Sequence, residues 1–163
     1  METSYRGNII PEIAEMEGTI RSFDPEMQKR LHQKIKLTAE KIAESSGAKA
    51  EVNIEFGSPV TYNDPKLTAQ MAPTLQRTVG IDKAIIVDPT TLSEDFSVFQ
   101  EKVPGLFFFL GAYPAEMKSE KAPVHHTADF MIDEKSFVTG VRAMLNLTVD
   151  YMFSKNQVVS SEK

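Results

Sequence analysis

The sequence of 163 residues predicts an α/β fold of the α+β type, in two parts that join near residues 57–63. Apolar and polar side chains alternate over residues 14–23 and again over 50–56, which indicates two half-buried strands. A helical pattern lies between them. The continuous apolar run 106–110 is typical of a strand that is covered on both faces, as in an α/β sheet.

The first part is a predicted strand–helix–strand unit. Asp24 and Pro25 suit the beginning of its helix, and Gly47 suits the end. The apolar stripe of this helix is formed by Met27, Leu31, Ile35, Ala39 and Ile42. Two strands and one helix make a thin layer, so we expect further strands to be supplied by something else.

The second part is predicted to contain three helices. Asp64 and Pro65 repeat the capping device of the first helix, and Pro73 inside the pattern predicts a kink or a break. Ser93 is predicted to cap a short helix, and Asp133 to cap a long one.

The remaining segments define the predicted boundaries. Residues 84–87 and 106–110 are predicted strands of the second part. We therefore divide the chain into residues 1–60, residues 61–153, and a polar tail over 154–163 that is expected to fray.

Composition excludes several classes of protein. The chain has no cysteine, which rules out disulfides, zinc sites built on cysteine and cysteine nucleophiles. Its net charge of −5 argues against a nucleic-acid binder. No apolar run approaches the ~18–20 residues that span a membrane, so no membrane partner is expected. The first residues show no apolar stretch typical of a signal peptide, and the compartment is not indicated.

Three histidines limit the chemistry that the chain can supply: His32, His125 and His126. The adjacent pair lies in a predicted loop after a buried strand, where ligand pockets of α/β sheets gather. The pair can be a solvated loop feature, or one imidazole can bind a metal. Neighbouring side chains in an extended loop point apart, so one ligand is favoured over two.

Three charged residues also have two interpretations each. Glu94 and Asp95 lie in the first turn of a predicted helix, where carboxylates complement the helix dipole without any catalytic role. Arg21 lies on the polar face of the first strand, as a surface charge or as a fork for bidentate binding of a carboxylate.

Several motifs, taken together, are more specific than any of these residues alone. They are Asn8-Ile9-Ile10-Pro11-Glu12, Glu17 to Asp24, Ser93-Glu94-Asp95-Phe96, Val103-Pro104-Gly105, Phe108-Phe109-Leu110-Gly111, and His125 to Phe130 ahead of Asp133-Glu134. In order and spacing, over residues 8–153, they resemble the metal-dependent amidohydrolases of peptidase family M20. This family includes hydrolases of hippurate, of other N-acyl amino acids and of auxin conjugates.

The resemblance implies an architecture. Residues 1–60 are similar to part of the family's lid or dimerisation domain, a small α/β sandwich. Residues 61–153 are similar to the C-terminal part of its zinc-dependent catalytic domain. The N-terminal catalytic half, which carries most metal ligands and a glutamate general base, has no counterpart here. We therefore expect the chain to be a C-terminal portion of such an enzyme.

The resemblance also assigns roles to residues. His126, four residues before Phe130, matches the last metal ligand, with His125 as the fallback. Asn8 and Arg21 match lid positions that grip the substrate carboxylate. Glu94 and Asp95 match a motif near the active site without being ligands. Ala128 departs from the proline that is common in this loop.

The implied function is hydrolysis of the amide bond of N-acyl amino acids or small peptides, with no catalytic residue supplied by this chain. The implied cofactor is a divalent metal (zinc, with manganese or cobalt as alternatives) that the full-length enzyme holds and this chain alone does not bind tightly. We expect the isolated chain to be inactive and to form a homo-oligomer. The alternatives are a non-catalytic dimerisation or binding module, and one half of a two-chain hydrolase.

Overall fold

The computed structural model describes residues 8, 10–114, 116–117 and 122–161, with side chains as far as Ser154. These residues form helices α1 (Pro25–Ser45), α2 (Pro65–Val79), α3 (Phe96–Gln100) and α4 (Lys135–Ser161), with a short 3₁₀ turn (Ile81–Lys83) after α2. The chain divides into two compact units. The first runs to Val60 and includes Thr90–Glu94; the second contains Thr61–Pro89 and the residues from Asp95 onward. None of the helices in the described residues has the length and apolar character needed to cross a membrane.

Helix α1 begins and ends as the sequence predicts. One carboxylate oxygen of Asp24 accepts hydrogen bonds from the backbone N–H groups of Glu26 at 2.8 Å and Met27 at 3.2 Å. These two donors have no partner within the helix, so the cap stabilises the first turn. After the helix, Gly47 adopts a φ of 72°, a conformation that glycine takes at little cost.

The buried residue of α1 is His32 rather than a member of the predicted apolar stripe. His32 is 9% exposed, and its ring lies 4.7 Å from the ring centre of Phe56. Its Nδ1 has no hydrogen-bond partner among the described residues. Met27, Ile35 and Ile42 of the stripe are exposed, because a stripe of this kind is covered only when a sheet packs on it.

The predicted strands are not confirmed. Residues 14–23, 50–56, 84–87 and 106–110 form no paired strand in the described part of the chain, where Glu15 makes one isolated bridge. A strand needs a neighbour that takes up its N–H and C=O groups. The strand–helix–strand sandwich therefore stays a prediction.

The helices of the second unit confirm the predicted cap of α2 and correct the predicted cap of α3. Asp64 caps α2 by accepting a hydrogen bond of 2.7 Å from Leu67 N–H. Helix α2 does not break at Pro73, which lies on an exposed side where water can take up the carbonyl group left without a donor. Ser93 is not the cap of α3, because Asp95 directly precedes this five-residue helix and makes no side-chain cap bond.

Helix α4 begins at its predicted cap and runs beyond its predicted end. The Asp133 carboxylate accepts a hydrogen bond of 3.0 Å from Lys135 N–H. The helix then continues to Ser161, so its last turns lie in the predicted polar tail.

Helices α2 and α4 pack against each other and form the core of the second unit. Met71 of α2 is 4% exposed and Ala143 of α4 is 2% exposed. The small alanine side chain permits close approach of the two helices, and the flexible methionine fills the space beside them. Thr74, one turn after Met71, is also buried.

A polar network crosses the same interface. Asp150 of α4 accepts hydrogen bonds through Oδ2 from the Thr74 hydroxyl and from Nη2 of Arg77, each at 2.5 Å. One turn earlier on α4, Asn146 donates to the Thr78 hydroxyl at 2.9 Å. Both hydrogen bonds to the carboxylate favour its charged form, so Thr74 and then Arg77 hold the pKa of Asp150 below its ordinary value.

This shift predicts a specific pH dependence of stability. Because the pKa of Asp150 is lower in the folded state than in the unfolded state, its contribution to stability is complete above the unfolded value of about 3.9 and is lost as the pH falls through the folded value. We expect the difference in free energy of unfolding between wild type and D150N to shrink between pH 6 and pH 3 in urea titrations. T74V removes the hydrogen bond that lowers the pKa of Asp150 most, so the loss of stability on acidification should begin at a higher pH in this variant. If neither T74V nor D150N alters the pH dependence of the free energy of unfolding, the assignment is contradicted.

Candidate active site

The loop that carries the two adjacent histidines is closed at its base by a backbone hydrogen bond. Asp133 N–H, just before α4, donates to the Ala112 carbonyl at 2.5 Å. The loop thus leaves from the end of the aromatic segment (residues 105–112) and returns at the beginning of α4. Two elements of the second unit therefore determine where the histidines lie.

The other end of the aromatic segment is held by the residues that precede α2. The Asn63 side chain accepts from Phe107 N–H at 2.6 Å and donates to the Phe107 carbonyl at 2.7 Å. Next to it, Asp64 N–H donates to the Gly105 carbonyl at 3.0 Å. Sequence analysis missed Asn63, since only the cap at Asp64 was evident in this loop.

The histidine loop itself is a turn, not the extended segment that the sequence predicts. Thr127 donates through its hydroxyl to the Val124 carbonyl at 2.8 Å, and Phe130 N–H donates to the Thr127 carbonyl at 3.2 Å. His126 has a φ of 66°, the left-handed conformation that residues other than glycine seldom adopt. No pattern in the sequence indicates this backbone conformation.

The two imidazoles differ in their surroundings. The ring of His125 lies 4.8 Å from the ring centre of Phe130, at an angle of 53°. The rings of His125 and His126 lie 6.4 Å apart. Both histidines are exposed. A metal binds to the in-plane lone pair of a ring nitrogen, so the ring contact of His125 with Phe130 does not exclude it, and both exposed imidazoles stay candidate ligands.

The two predicted substrate-binding residues belong to the first unit. Asn8 lies exposed on a turn. Arg21 is exposed, and its Nη1 donates to the Thr91 carbonyl at 3.3 Å. This contact uses one of five N–H donors, so the guanidinium keeps donors for a carboxylate.

Of the two acidic residues before α3, Asp95 has a structural role through its backbone. The Asp95 carbonyl accepts from Val98 N–H at 3.0 Å in the first turn of α3, and the Asp95 side chain is exposed. Glu94 is half-buried. Neither carboxylate belongs to a metal-binding group among the described residues.

The described residues do not complete a metal site. Among them, no three His, Asp or Glu side chains lie close enough together to hold an ion. A catalytic zinc ion takes three protein ligands as a rule. The described residues alone therefore do not provide the ligands of a catalytic zinc site.

This ligand count predicts the behaviour of the purified chain. We expect zinc calorimetry to show weak uptake without a tight stoichiometric step, and an N-acyl amino acid hydrolysis assay to show no turnover. The reason is that one or two exposed imidazoles provide too few ligands. Tight equimolar zinc binding together with turnover would contradict the prediction.

Comparisons with known proteins identify the family of this chain. The sequence model of the family described as "Peptidase family M20/M25/M40" matches residues 4–150 of this chain. The putative amidohydrolase YhaA of Bacillus subtilis is 32% identical over 144 residues, which are 88% of this chain and 36% of that protein. Thermostable carboxypeptidase 2 of Saccharolobus solfataricus is 33% identical over 152 residues, 93% of this chain and 37% of that protein.

A third relative has a named substrate. The N-acetylcysteine deacetylase of Bacillus subtilis is 31% identical over 142 residues, 87% of this chain and 35% of that enzyme. The chain thus spans about a third of the length of these relatives. No solved structure matches the chain. Because the family description covers nearly the whole sequence, the chain belongs to peptidase family M20/M25/M40.

Proposed function

We propose that this chain is the C-terminal part of a metal-dependent amidohydrolase that cleaves the amide bond of N-acyl amino acids. In this proposal His126 supplies one ligand of the metal, with His125 as the fallback, and Asn8 and Arg21 bind the substrate carboxylate. The remaining ligands and the general base come from the part of the enzyme that this chain does not contain. The chain alone is then inactive.

The observation that carries the proposal is the family match over residues 4–150, with the His126 loop and Arg21 inside it. The names of relatives support the reaction, since they include an amidohydrolase, a carboxypeptidase and a deacetylase of an N-acyl amino acid. Members of this family are generally metal-dependent, and an imidazole is a ligand that suits zinc.

The roles proposed for Arg21 and Asn8 follow from the chemistry of their side chains. Arg21 offers a planar fork that matches a carboxylate, and Asn8 offers an amide that can add a hydrogen bond. Holding the carboxylate end orients the scissile amide and lowers the entropy cost of the reaction. The α/β lid sandwich around α1, with strands at 14–23 and 50–56, is part of this proposal.

A hybrid enzyme tests the proposal directly. This chain replaces the matched 142-residue stretch of the N-acetylcysteine deacetylase, which keeps its remaining part. We expect the hybrid to deacetylate N-acetylcysteine or a related N-acyl amino acid. A hybrid that folds and binds metal but turns over none of a panel of N-acyl amino acids would contradict the proposed reaction.

Substitutions of Arg21 and Asn8 in the hybrid enzyme test whether these residues bind the substrate carboxylate. R21K keeps the charge but loses the fork, and it is expected to lower kcat/KM by roughly 10- to 100-fold, since a hydrogen bond to a charged group contributes about 1.5–3 kcal/mol. R30K, the same change at an exposed position on α1, is the control. For the amide, N8D is compared with N53D, another exposed asparagine of the first unit. Equal kinetics within both pairs would remove the substrate role.

A second candidate is an assembly module without catalysis, either a homo-oligomer or one half of a two-chain enzyme. The observation that favours it is the apolar face of α4, where Phe137, Val141 and Leu145 are more than half exposed. They line a shallow, open depression on the surface of this helix. Exposed apolar patches of this kind often mark interaction sites.

Solution mass distinguishes this candidate. Gel filtration with light scattering is expected to give a mass above that of one chain if the module self-associates. Co-expression with the remaining part of the deacetylase tests the two-chain form, in which separate polypeptides restore turnover. A monomer that gains no activity from the added polypeptide would count against both forms.

A further inference from the structure

We propose that Asn63 is a positioning residue for the histidine loop. By binding both backbone groups of Phe107, its side-chain amide fixes the aromatic segment from which the loop with His125 and His126 departs. The inference rests on the proposed function only in giving the loop its purpose; the geometry belongs to the second unit alone.

The first step is the pairing itself. Asn63 accepts from Phe107 N–H at 2.6 Å and donates to the Phe107 carbonyl at 2.7 Å. Two facing residues of an antiparallel pair exchange hydrogen bonds in the same way. A planar amide carries a donor and an acceptor side by side, so Asn63 substitutes for a missing strand neighbour.

The residues on either side of Asn63 also make backbone hydrogen bonds that fix the segment before α2. Tyr62 N–H donates to Oε1 of Gln100 at 3.0 Å, and Asp64 N–H donates to the Gly105 carbonyl at 3.0 Å. Gly105 is buried, and a Cβ atom there would lie 2.6 Å from Cγ of Gln100. Three consecutive residues before α2 thus hold the beginning of the aromatic segment.

The other end of the aromatic segment is the point from which the histidine loop departs, so the position of the segment determines the position of the base of the loop. A Cβ atom at Gly140 would lie 3.0 Å from Cδ2 of Leu110, so the segment approaches α4 closely there. Two residues later, the Ala112 carbonyl accepts from Asp133 N–H and closes the base of the loop. A shift of the segment at Phe107 would therefore displace the base from which the histidines are presented.

The test is N63D, examined by NMR of the imidazole Cε1–H resonances in the isolated chain. A carboxylate keeps the size of the amide and can accept from Phe107 N–H, but it places a second acceptor against the Phe107 carbonyl. We expect the His125 and His126 resonances to move by more than their line widths. The His125 resonance is a sensitive reporter because its ring lies 4.8 Å from Phe130. His32, in the first unit, is the internal reference that should not move.

The matched control is N146D, the same chemical change in the same unit. It removes the hydrogen bond from Asn146 to Thr78 between α2 and α4, so it is expected to lower stability without moving the loop resonances. This separates positioning from a merely structural role. A folded N63D with His125 and His126 at their wild-type positions overturns the proposal, as does N146D moving them equally.

A further variant keeps the test decisive if N63D does not fold. N63S removes the repulsion with the Phe107 carbonyl and is judged by the same criteria. None of these readouts needs metal or turnover, so failure here is distinguishable from failure of the hybrid enzyme.

Discussion

In the hybrid enzyme, H126G is expected to lower kcat/KM by at least about 100-fold, and free imidazole should restore part of the activity. Mutating a residue that only supports a metal ligand already costs about 10- to 100-fold, so loss of the ligand itself should cost no less. Glycine is the informative replacement because position 126 has a φ of 66°, which glycine adopts readily. The variant removes the imidazole while keeping the turn.

Two measurements separate a ligand from a structural histidine. The free energy of unfolding of H126G in the isolated chain is expected to stay within about 1 kcal/mol of wild type, because relief at positive φ and the added freedom of the unfolded chain oppose each other. H125G in the hybrid serves as the comparison, since it loses the contact with Phe130. Full activity of H126G together with inactive H125G would transfer the ligand role to His125.

M71A is expected to destabilise the second unit by about 2–5 kcal/mol, the usual cost of removing a large buried side chain. Met71 is one of the buried apolar residues of the unit in which α2 packs on α4, and truncating it leaves a cavity or forces its neighbours to collapse together. Because the chain has two units, we would follow amide hydrogen exchange in α2 and α4 rather than global unfolding.

The control for M71A is M152A, the same substitution on the partner helix. Met152 is 62% exposed, so its truncation is expected to change the protection of these amides by no more than about 0.5 kcal/mol. Equal effects of the two substitutions would show that the α2–α4 contact is not the core of this unit.

The sequence predicted helices well because their signals are local. Asp24, Asp64 and Asp133 were identified as caps from two or three neighbouring residues, and the structure confirms each one. The short helix near Ser93 shows the limit of such signals. The sequence predicts Ser93 as its cap, whereas Asp95 directly precedes the helix in the structure. Several consecutive polar residues can each serve as a cap, so the sequence alone does not identify the first residue of the helix.

What escaped prediction depends on partners far along the chain. His32 is buried and lies against Phe56, and a histidine within a helical pattern gives no sign of either. Asn63 and Phe107 lie 44 positions apart, so no local pattern connects them. The predicted strands stay unconfirmed for the same reason: alternation describes a face, but a strand forms only beside a neighbour.

In the candidate site, too, the local features could be predicted from the sequence and the backbone conformation could not. The loop residues His125 and His126 were found from composition and order, whereas the left-handed backbone at position 126 was not. Arg21 was assigned a carboxylate, and the structure shows its contact with the Thr91 carbonyl. The roles proposed for these side chains stay predictions for the hybrid enzyme to test.

The Asp150 network has a consequence for how α2 and α4 align. Apolar side chains tolerate many rotations of one helix against another, but a carboxylate held by Thr74 and Arg77 tolerates one. Sliding α4 by a single turn, about 5.4 Å, would move Asp150 away from Thr74 and Arg77 and would separate Asn146 from Thr78. The network thus favours the observed register of α2 and α4, which their apolar surfaces alone would specify less strictly.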